Sequence, residues 1–199
     1  MHDADAGIEE TVFKMKRVSA ENVLTGALIV AVLDCVWLSW RYIALKSGWV
    51  VPGTGLCSWT PFIDCDKVLQ TPEARAFYVP NALLGFSFFF GSLVWWWLGN
   101  RFYQEHRGTL IRLLAVWLGL ATLMTFWFFW LLFHLSAFCP FCPWNHLFTY
   151  IAFGAAVVTA RGIPGAISKQ SLRALAPLIV LCVGQFFAVL IAWRMLLNR

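Results

Sequence analysis

Long apolar segments alternate with short polar ones along this chain. Five apolar runs stand out, at about 23–45, 82–98, 110–135, 144–160 and 174–197. Most of them approach the roughly 20 residues that a helix needs to cross a bilayer. The pattern therefore predicts five transmembrane helices and an all-α membrane protein.

Composition supports this prediction, because 60% of the 199 residues are hydrophobic and only 13% are charged. The first 22 residues are polar and mixed in charge, and the apolar run after them is too long for the core of a signal peptide. We expect no cleaved targeting segment. The predicted organisation is a cytoplasmic segment at 1–22, a four-helix bundle at 23–160 that includes an outer loop at 46–80, and a cytoplasmic connection with a fifth helix at 161–199.

The basic residues predict the orientation in the membrane. Nine of the fifteen Lys and Arg precede the first run or surround the second and fourth connections, namely Lys14, Lys16, Arg17, Arg101, Arg107, Arg112, Arg161, Lys169 and Arg173. Short cytoplasmic loops are enriched in such residues. The N-terminus is therefore expected in the cytoplasm. Since the net charge of +5 is scattered over short connections, no nucleic-acid partner is expected.

Four of the six cysteines then fall on the outer side. Cys57 and Cys65 lie in the first outer loop, and Cys139 and Cys142 form a Cys-x-x-Cys pair at the outer start of the fourth helix. Disulfides persist outside the cytosol, so these thiols indicate disulfide chemistry more than a reduced metal site. Two such pairs on one face describe a relay that passes electrons by thiol–disulfide exchange. The apolar surroundings of Cys142 suit a lipid-soluble acceptor such as a quinone.

The outer loop carries further signals. Thr60-Pro61 predicts a capped short helix at 61–69, with Cys65 facing the bundle and Asp64, Asp66 and Lys67 facing water. A second cap-and-proline pattern, Thr71-Pro72, opens another short helical piece.

Three polar residues along the helices are open to two interpretations. Asn81 either caps the second helix or offers its amide to a ligand. His146, one turn after Cys142, either relays a proton or is a satisfied interfacial histidine. Asp34, inside the first helix, is either paired with a polar neighbour in the bundle or functional, because a carboxylate within a membrane is costly.

Several spacings together resemble the vitamin K epoxide reductase family, particularly its bacterial members. They are Cys57-x7-Cys65, Thr71 six residues later, Pro80-Asn81-x-x-x-Gly85, and Cys139-Pro140-Phe141-Cys142. The resemblance runs from the first helix through the fourth and implies a four-helix bundle around a quinone, here followed by a fifth helix. Another family of quinone-linked thiol oxidases, DsbB, has its two pairs in the opposite order.

The resemblance also implies roles for individual residues. Cys57 would exchange with a periplasmic thioredoxin-like, DsbA-type protein, Cys65 would reduce Cys139, and Cys142 would face the quinone. Thr71 and Asn81 would lie near the quinone, which would be ubiquinone or menaquinone. The expected function is a thiol:quinone oxidoreductase of the bacterial inner membrane that generates disulfides, with its active cysteines in the periplasm.

Alternatives remain at this stage. Animal members of the family carry tyrosine where this chain has His146, which favours plain quinone reduction over vitamin K epoxide reduction. A non-catalytic tetraspan protein would use Cys57 and Cys65 as a structural bridge and leave Cys139 and Cys142 idle. A metal transporter would use His134, His146 and the thiols as soft ligands, but we expect no metal, since the outer compartment favours oxidised sulfur.

Overall fold

The computed structural model describes residues 2–54, 58–60, 62–76, 78–132, 134–135, 137–163 and 167–197, with side chains from residue 18 to residue 195. Its α-helices within these ranges are α1 (His2–Lys46), α2 (Cys65–Gln70), α3 (Asn81–Phe102), α4 (Arg107–Leu132), α5 (Phe141–Arg161) and α6 (Lys169–Leu197). Two 3₁₀ turns span Pro72–Ala74 and Gln104–His106. Strands β1 (Arg75–Ala76) and β2 (Val79–Pro80) form a small antiparallel ladder. The prediction of an all-α membrane protein is confirmed.

Helices α1, α3, α4 and α5 form the bundle, with α1 against α3 and α5, and α4 against α5. The core contains buried leucines of α1 and α4 together with alanines of α1 and α5. Ala31, Ala152 and Ala156 are all fully buried. Small residues at a helix interface let the two backbones approach closely, and dispersion contacts then hold the helices together.

Two glycines of α3 mark especially close helix contacts. A Cβ atom on Gly85 would lie 2.9 Å from the Sγ of Cys35 on α1, and one on Gly99 would overlap the side chain of Leu110 on α4. Glycine is therefore needed at both positions for the space it leaves. Gly85 belongs to the Pro80-Asn81-x-x-x-Gly85 pattern, and the structure gives that glycine a packing reason.

Four helical segments in the described part of the chain are long and apolar enough to cross a membrane: Val18–Lys46, Asn81–Phe102, Gln104–Leu132 and Lys169–Met195. Helix α5 has the length, at 21 residues, but its first turns contain polar residues such as Asn145 and His146. It packs between α1 and α4. We therefore treat it as the remaining spanning helix of the bundle, with its polar groups turned toward its neighbours.

Helix α6 lies outside the bundle and packs on α3. Its last turns reach the end of the molecule that holds the cysteines, where Trp193 Nε1 donates to the carbonyl oxygen of Tyr78 at 2.9 Å. The opposite end is closed by an ion pair between Arg107 and Glu21 at 2.6 Å. There Arg112 also donates to the carbonyl oxygen of Ile163.

The outer loop differs from the prediction in two respects. Helix α2 begins at Cys65 and is capped by Asp64, whereas Thr60 accepts a hydrogen bond from the Ile63 amide in a separate turn. Asp64 and Asp66 are buried, and only Lys67 faces solvent as predicted. The carboxylates are tolerated inside because each accepts three hydrogen bonds, which helical periodicity alone does not reveal.

Candidate functional site

The sulfur atoms of Cys65 and Cys139 lie 3.0 Å apart. Both residues are completely buried. Cys65 is disulfide-bonded, while Cys139 and Cys142 are free thiols. A free thiol thus sits against a disulfide sulfur, which is the arrangement that thiol–disulfide exchange requires.

A short backbone bridge brings these two cysteines together although they are 74 residues apart. Ile63 and Phe138 pair as parallel strands, with Asp64 N donating to Phe138 O at 3.1 Å and Phe138 N donating to Phe62 O at 2.7 Å. The rings of Phe62 and Phe138 also stack, with centroids 6.5 Å apart. Cys139 directly follows Phe138, and Cys65 lies two residues after Ile63. The pairing of Ile63 with Phe138 therefore brings the two sulfur atoms to the same position.

Helix α2 is held against α1 by a buried ion pair. Arg41 donates from Nε to Asp66 Oδ1 at 2.8 Å and from Nη2 to Asp66 Oδ2 at 2.7 Å. The Gly53 amide donates to Asp66 Oδ2 at 2.9 Å, and Arg41 also donates to the carbonyl oxygen of Thr54. One arginine therefore ties α1, the segment before Cys57 and the helix that begins with Cys65 into one unit.

The environment of Asp66 favours its charged form. Burial by itself would raise the pKa of this carboxyl, but the hydrogen bonds from Arg41 and the Gly53 amide outweigh burial and hold the pKa below the ordinary value of 3.8. Asp66 is thus ionised at neutral pH. The neighbouring Asp64 accepts from the Asp66 and Lys67 amides at 3.0 and 3.3 Å as the helix cap.

Cys142 lies in the first turn of α5. Its amide donates to Cys139 O at 3.2 Å, which fixes the backbone between the two cysteines of the pair. Pro140 is the N-cap residue and Pro143 falls in the first turn, where a missing amide proton costs nothing. Both prolines therefore lie at the start of the helix, where they do not interrupt its backbone hydrogen bonds. Cys142 is partly exposed, unlike Cys139.

A polar cluster inside the bundle adjoins Cys142. Asn145 Nδ2 donates to Asp34 Oδ2 at 3.0 Å and to the Sγ of Cys35 at 3.1 Å. Asp34 is therefore paired with a polar neighbour inside the bundle, which is one of the two interpretations that the sequence left open. Asn145 was not singled out from sequence, although its position three residues after Cys142, on the same helix face, was available as a signal.

The loop residues with predicted ligand roles also make structural contacts. Thr71 caps the 3₁₀ turn, donating to Val68 O at 2.9 Å and accepting from the Ala74 amide at 3.3 Å. Asn81 begins α3, and its Nδ2 donates to Glu73 O at 2.9 Å. The structure thus brings Thr71 and Asn81 to one corner of the loop, next to α2.

His146 lies one turn into α5 from Cys142 and faces α4. Its ring stacks on Phe128, with centroids 6.4 Å apart, and meets Phe129 edge-on at 6.3 Å. The fourth predicted cysteine of the relay, Cys57, lies outside the described residues.

A sequence model of the vitamin K epoxide reductase family matches residues 22–157. The chain belongs to this family. The match covers the four bundle helices, the outer loop and all four cysteines of the two pairs. No curated protein matches the chain, and no solved structure matches it. Family membership makes the protein a membrane oxidoreductase of the thiol–disulfide and quinone type.

The residues around the cysteines of this family member fit a quinone. Five buried side-chain atoms at this end of the described part of the chain have no hydrogen-bond partner: Trp37 Nε1, Ser39 Oγ, Arg75 Nε, Asn81 Oδ1 and His146 Nδ1. Trp37, Ala82 and Cys142 pack against one buried cluster that includes Cys65 and Cys139. A quinone carbonyl accepts a hydrogen bond and a quinol hydroxyl donates one, so an unpartnered indole N–H and an unpartnered amide oxygen suit the two forms.

A cavity of about 290 Å³ opens beside α2 at the same end. Its lining residues are Lys67, Val68, Gln70, Thr71, Leu135 and Ala137. Thr71 is the only predicted site residue in this lining. Across the described ranges, no group of three or more His, Cys, Asp or Glu side chains is arranged to hold a metal ion.

Proposed function

We propose that the protein is a thiol:quinone oxidoreductase that generates disulfides by oxidising a thioredoxin-like, DsbA-type partner and reducing ubiquinone or menaquinone. The observation that carries the proposal is the 3.0 Å contact between the sulfur of Cys139, a free thiol, and that of Cys65, a disulfide-bonded cysteine. A structural bridge in a tetraspan protein would have no need of a buried thiol against it.

The proposed sequence of exchange takes Cys57 as the other sulfur of the Cys65 disulfide. A partner dithiol reduces this disulfide and leaves as a disulfide, and the Cys65 thiolate then attacks the Cys139–Cys142 disulfide at Cys139. Attack by Cys57 on Cys65 restores the loop disulfide and releases Cys139 and Cys142 as thiols. The described state, with Cys65 oxidised and the other two reduced, corresponds to the point after this internal step.

On the acceptor side, a bound quinone supplies the capacity to take two electrons. Cys142 is the exit cysteine, because it is partly exposed whereas Cys139 is fully buried against Cys65. The Trp37 indole would donate to a quinone oxygen, and the free Oδ1 of Asn81 would accept from a quinol hydroxyl. Thr71 and His146 would border the quinone site. Thr71 would do so because it lines the cavity beside α2.

The distribution of charge supports a bacterial inner-membrane location with the cysteines in the periplasm. Arg107, Arg112 and Arg161 lie at the end of the bundle opposite the cysteines, as expected for a cytoplasmic face. On this proposal, 1–22 is the cytoplasmic segment, 23–160 the catalytic bundle with its outer loop, and 161–199 the cytoplasmic connection and the fifth helix.

Replacing the exit cysteine tests the chemistry directly. Purified Cys142→Ser protein, given reduced partner and a ubiquinone or menaquinone analogue, should form no quinol, because the electrons have no route out of Cys139. Cys182→Ser is the matched control, since Cys182 is a free thiol on α6 that contacts Gly91 O of α3 and should leave turnover unchanged. Normal quinol formation by Cys142→Ser would refute the assigned exit.

The partner side has its own test. In Cys65→Ser protein, Cys57 should remain in a mixed disulfide with the thioredoxin-like partner, visible as a larger band on non-reducing gels. Absence of any mixed disulfide would favour a structural bridge over a relay. In intact cells whose disulfides are first reduced, a membrane-impermeant alkylating reagent should reach Cys57 from the periplasm, and labelling only from the cytoplasm would overturn the orientation.

A further inference from the structure

The Asp34–Asn145–Cys35 cluster lies in the interior of the bundle beside the exit cysteine. Asn145 is one turn after Cys142 on α5 and holds Asp34 Oδ2 at 3.0 Å and Cys35 Sγ at 3.1 Å. Since Cys142 lies three residues before Asn145 on α5, its side chain is on the same helix face as the amide that contacts Asp34 and Cys35. The carboxyl group is thus fixed by an amide that belongs to the same helical turn as the reacting thiol.

A thiol in this position has a proton to dispose of. Only a thiolate gives up electrons readily, and Cys142 packs against a buried apolar cluster, which disfavours the charged thiolate. A base held close to the thiol can take its proton, and it can later give that proton to the quinone as negative charge develops there. Among the described residues of the bundle, Asp34 is the carboxyl group that contacts the helical turn of Cys142, through Asn145.

We propose that Asp34 is the proton acceptor for Cys142 in the quinone-reducing step, and that Asn145 is the residue that positions it. This inference rests on the proposed function. Asp34 carboxylate takes the proton of the Cys142 thiol, and the sulfur pair becomes a Cys139–Cys142 disulfide as two electrons pass to the quinone. Asp34 then gives its proton to one quinol oxygen and the Cys139 proton reaches the other, so that dithiol and quinone become disulfide and quinol.

The surroundings of Asp34 leave few other groups for this role. In the part of the chain that the structure describes, the titratable groups nearest to the Asp34–Asn145 contact are the thiol of Cys35, which Asn145 also contacts, and the thiol of Cys142, one turn before Asn145 on α5. His146 is turned toward the α4 phenylalanines, and Arg41 is engaged by Asp66. Helices α3 and α4 carry their Lys, Arg, Asp and Glu only near the opposite end.

Asp34→Asn is the decisive variant, because an asparagine retains an oxygen that accepts from Asn145 while losing the ability to take a proton. In a single-turnover assay at neutral pH, we expect quinol formation to fall about 100-fold. The variant's rate should then rise with pH, because the thiol must ionise unaided. Exchange with reduced partner in the absence of quinone should remain at the wild-type rate.

A measurement without quinone gives a second readout. In the reduced protein, the S–H infrared band of Cys142, identified by its loss in Cys142→Ser, should shift with pH as Asp34 titrates. That shift should disappear in Asp34→Asn. A permanently protonated, purely structural Asp34 would give no such shift.

The outcomes separate the two proposals. If wild-type protein forms no quinol from any quinone analogue, the proposed function fails. If wild-type protein is active and Asp34→Asn matches it in rate and pH profile, the role of Asp34 is refuted. Equal slowing of partner exchange and quinol formation in Asp34→Asn would also refute it, because that pattern shows a structural defect.

Discussion

Asp66→Ala removes the carboxylate that neutralises Arg41 inside the protein. The side chains of Arg41 and Asp66 are 9% and 1% exposed, so the guanidinium would remain in a buried site without the carboxylate to which it is hydrogen-bonded. Removing one partner of a buried pair typically costs about 3–5 kcal/mol. Two strong hydrogen bonds to Arg41 and one to the Gly53 amide are lost at once, which places the expected cost in that range.

The loss of stability should be seen first in the outer loop, because the Arg41–Asp66 ion pair joins α2 to α1 and does not join the bundle helices to one another. Hydrogen exchange of the 62–76 amides should accelerate by about a hundredfold or more, since every 1.4 kcal/mol changes an opening equilibrium about tenfold. Glu73→Ala is the matched control, because it removes one negative charge from an exposed side chain of the same loop. Exchange that is no faster in Asp66→Ala than in Glu73→Ala would refute the reasoning.

Three further predictions follow from the same contacts. Asp64→Ala should destabilise α2 by about 1 kcal/mol through loss of its cap, and Asp64→Asn should be nearly neutral, as measured by exchange of the α2 amides. Because the folded pKa of Asp66 is lowered, its contribution to loop stability is present above pH 3.8 and is lost as the pH falls below that value; exchange should show this acid loss in wild type and not in Asp66→Asn. Gly99→Ala should lower the free energy of unfolding by about 1–3 kcal/mol through overlap with Leu110, and if this contact is the cause, the same change should cost less in a Leu110→Ala background.

Local signals predicted much of the helical scaffold. The apolar runs predicted where the long helices lie, because a helix in a membrane satisfies its own backbone groups and needs only length and apolar side chains. Thr71-Pro72 predicted a capped turn, which is observed. The same pattern at Thr60-Pro61 did not start α2. Asp64 is the N-cap residue instead, because its carboxylate accepts hydrogen bonds from two amides of the first turn.

Burial of charge was the part that periodicity could not predict. Asp66 was expected to face water, and it is buried because Arg41, 25 residues earlier, reaches it from α1. Asn145 was overlooked for a similar reason, since its partner Asp34 is 111 residues away. In both cases the stabilising partner comes from another helix, and no window of local sequence contains it.

The sequence by itself determined the membrane class, the five long helices and the two cysteine pairs with the spacings of the vitamin K epoxide reductase family. Those features depend on residue type and on spacing along one chain. Only the tertiary structure decided that the sulfurs of Cys65 and Cys139 lie 3.0 Å apart and that Asn145, one turn after Cys142, donates to Asp34. Such contacts arise from helix packing and from the backbone bridge at Phe138, which join segments that are far apart in sequence.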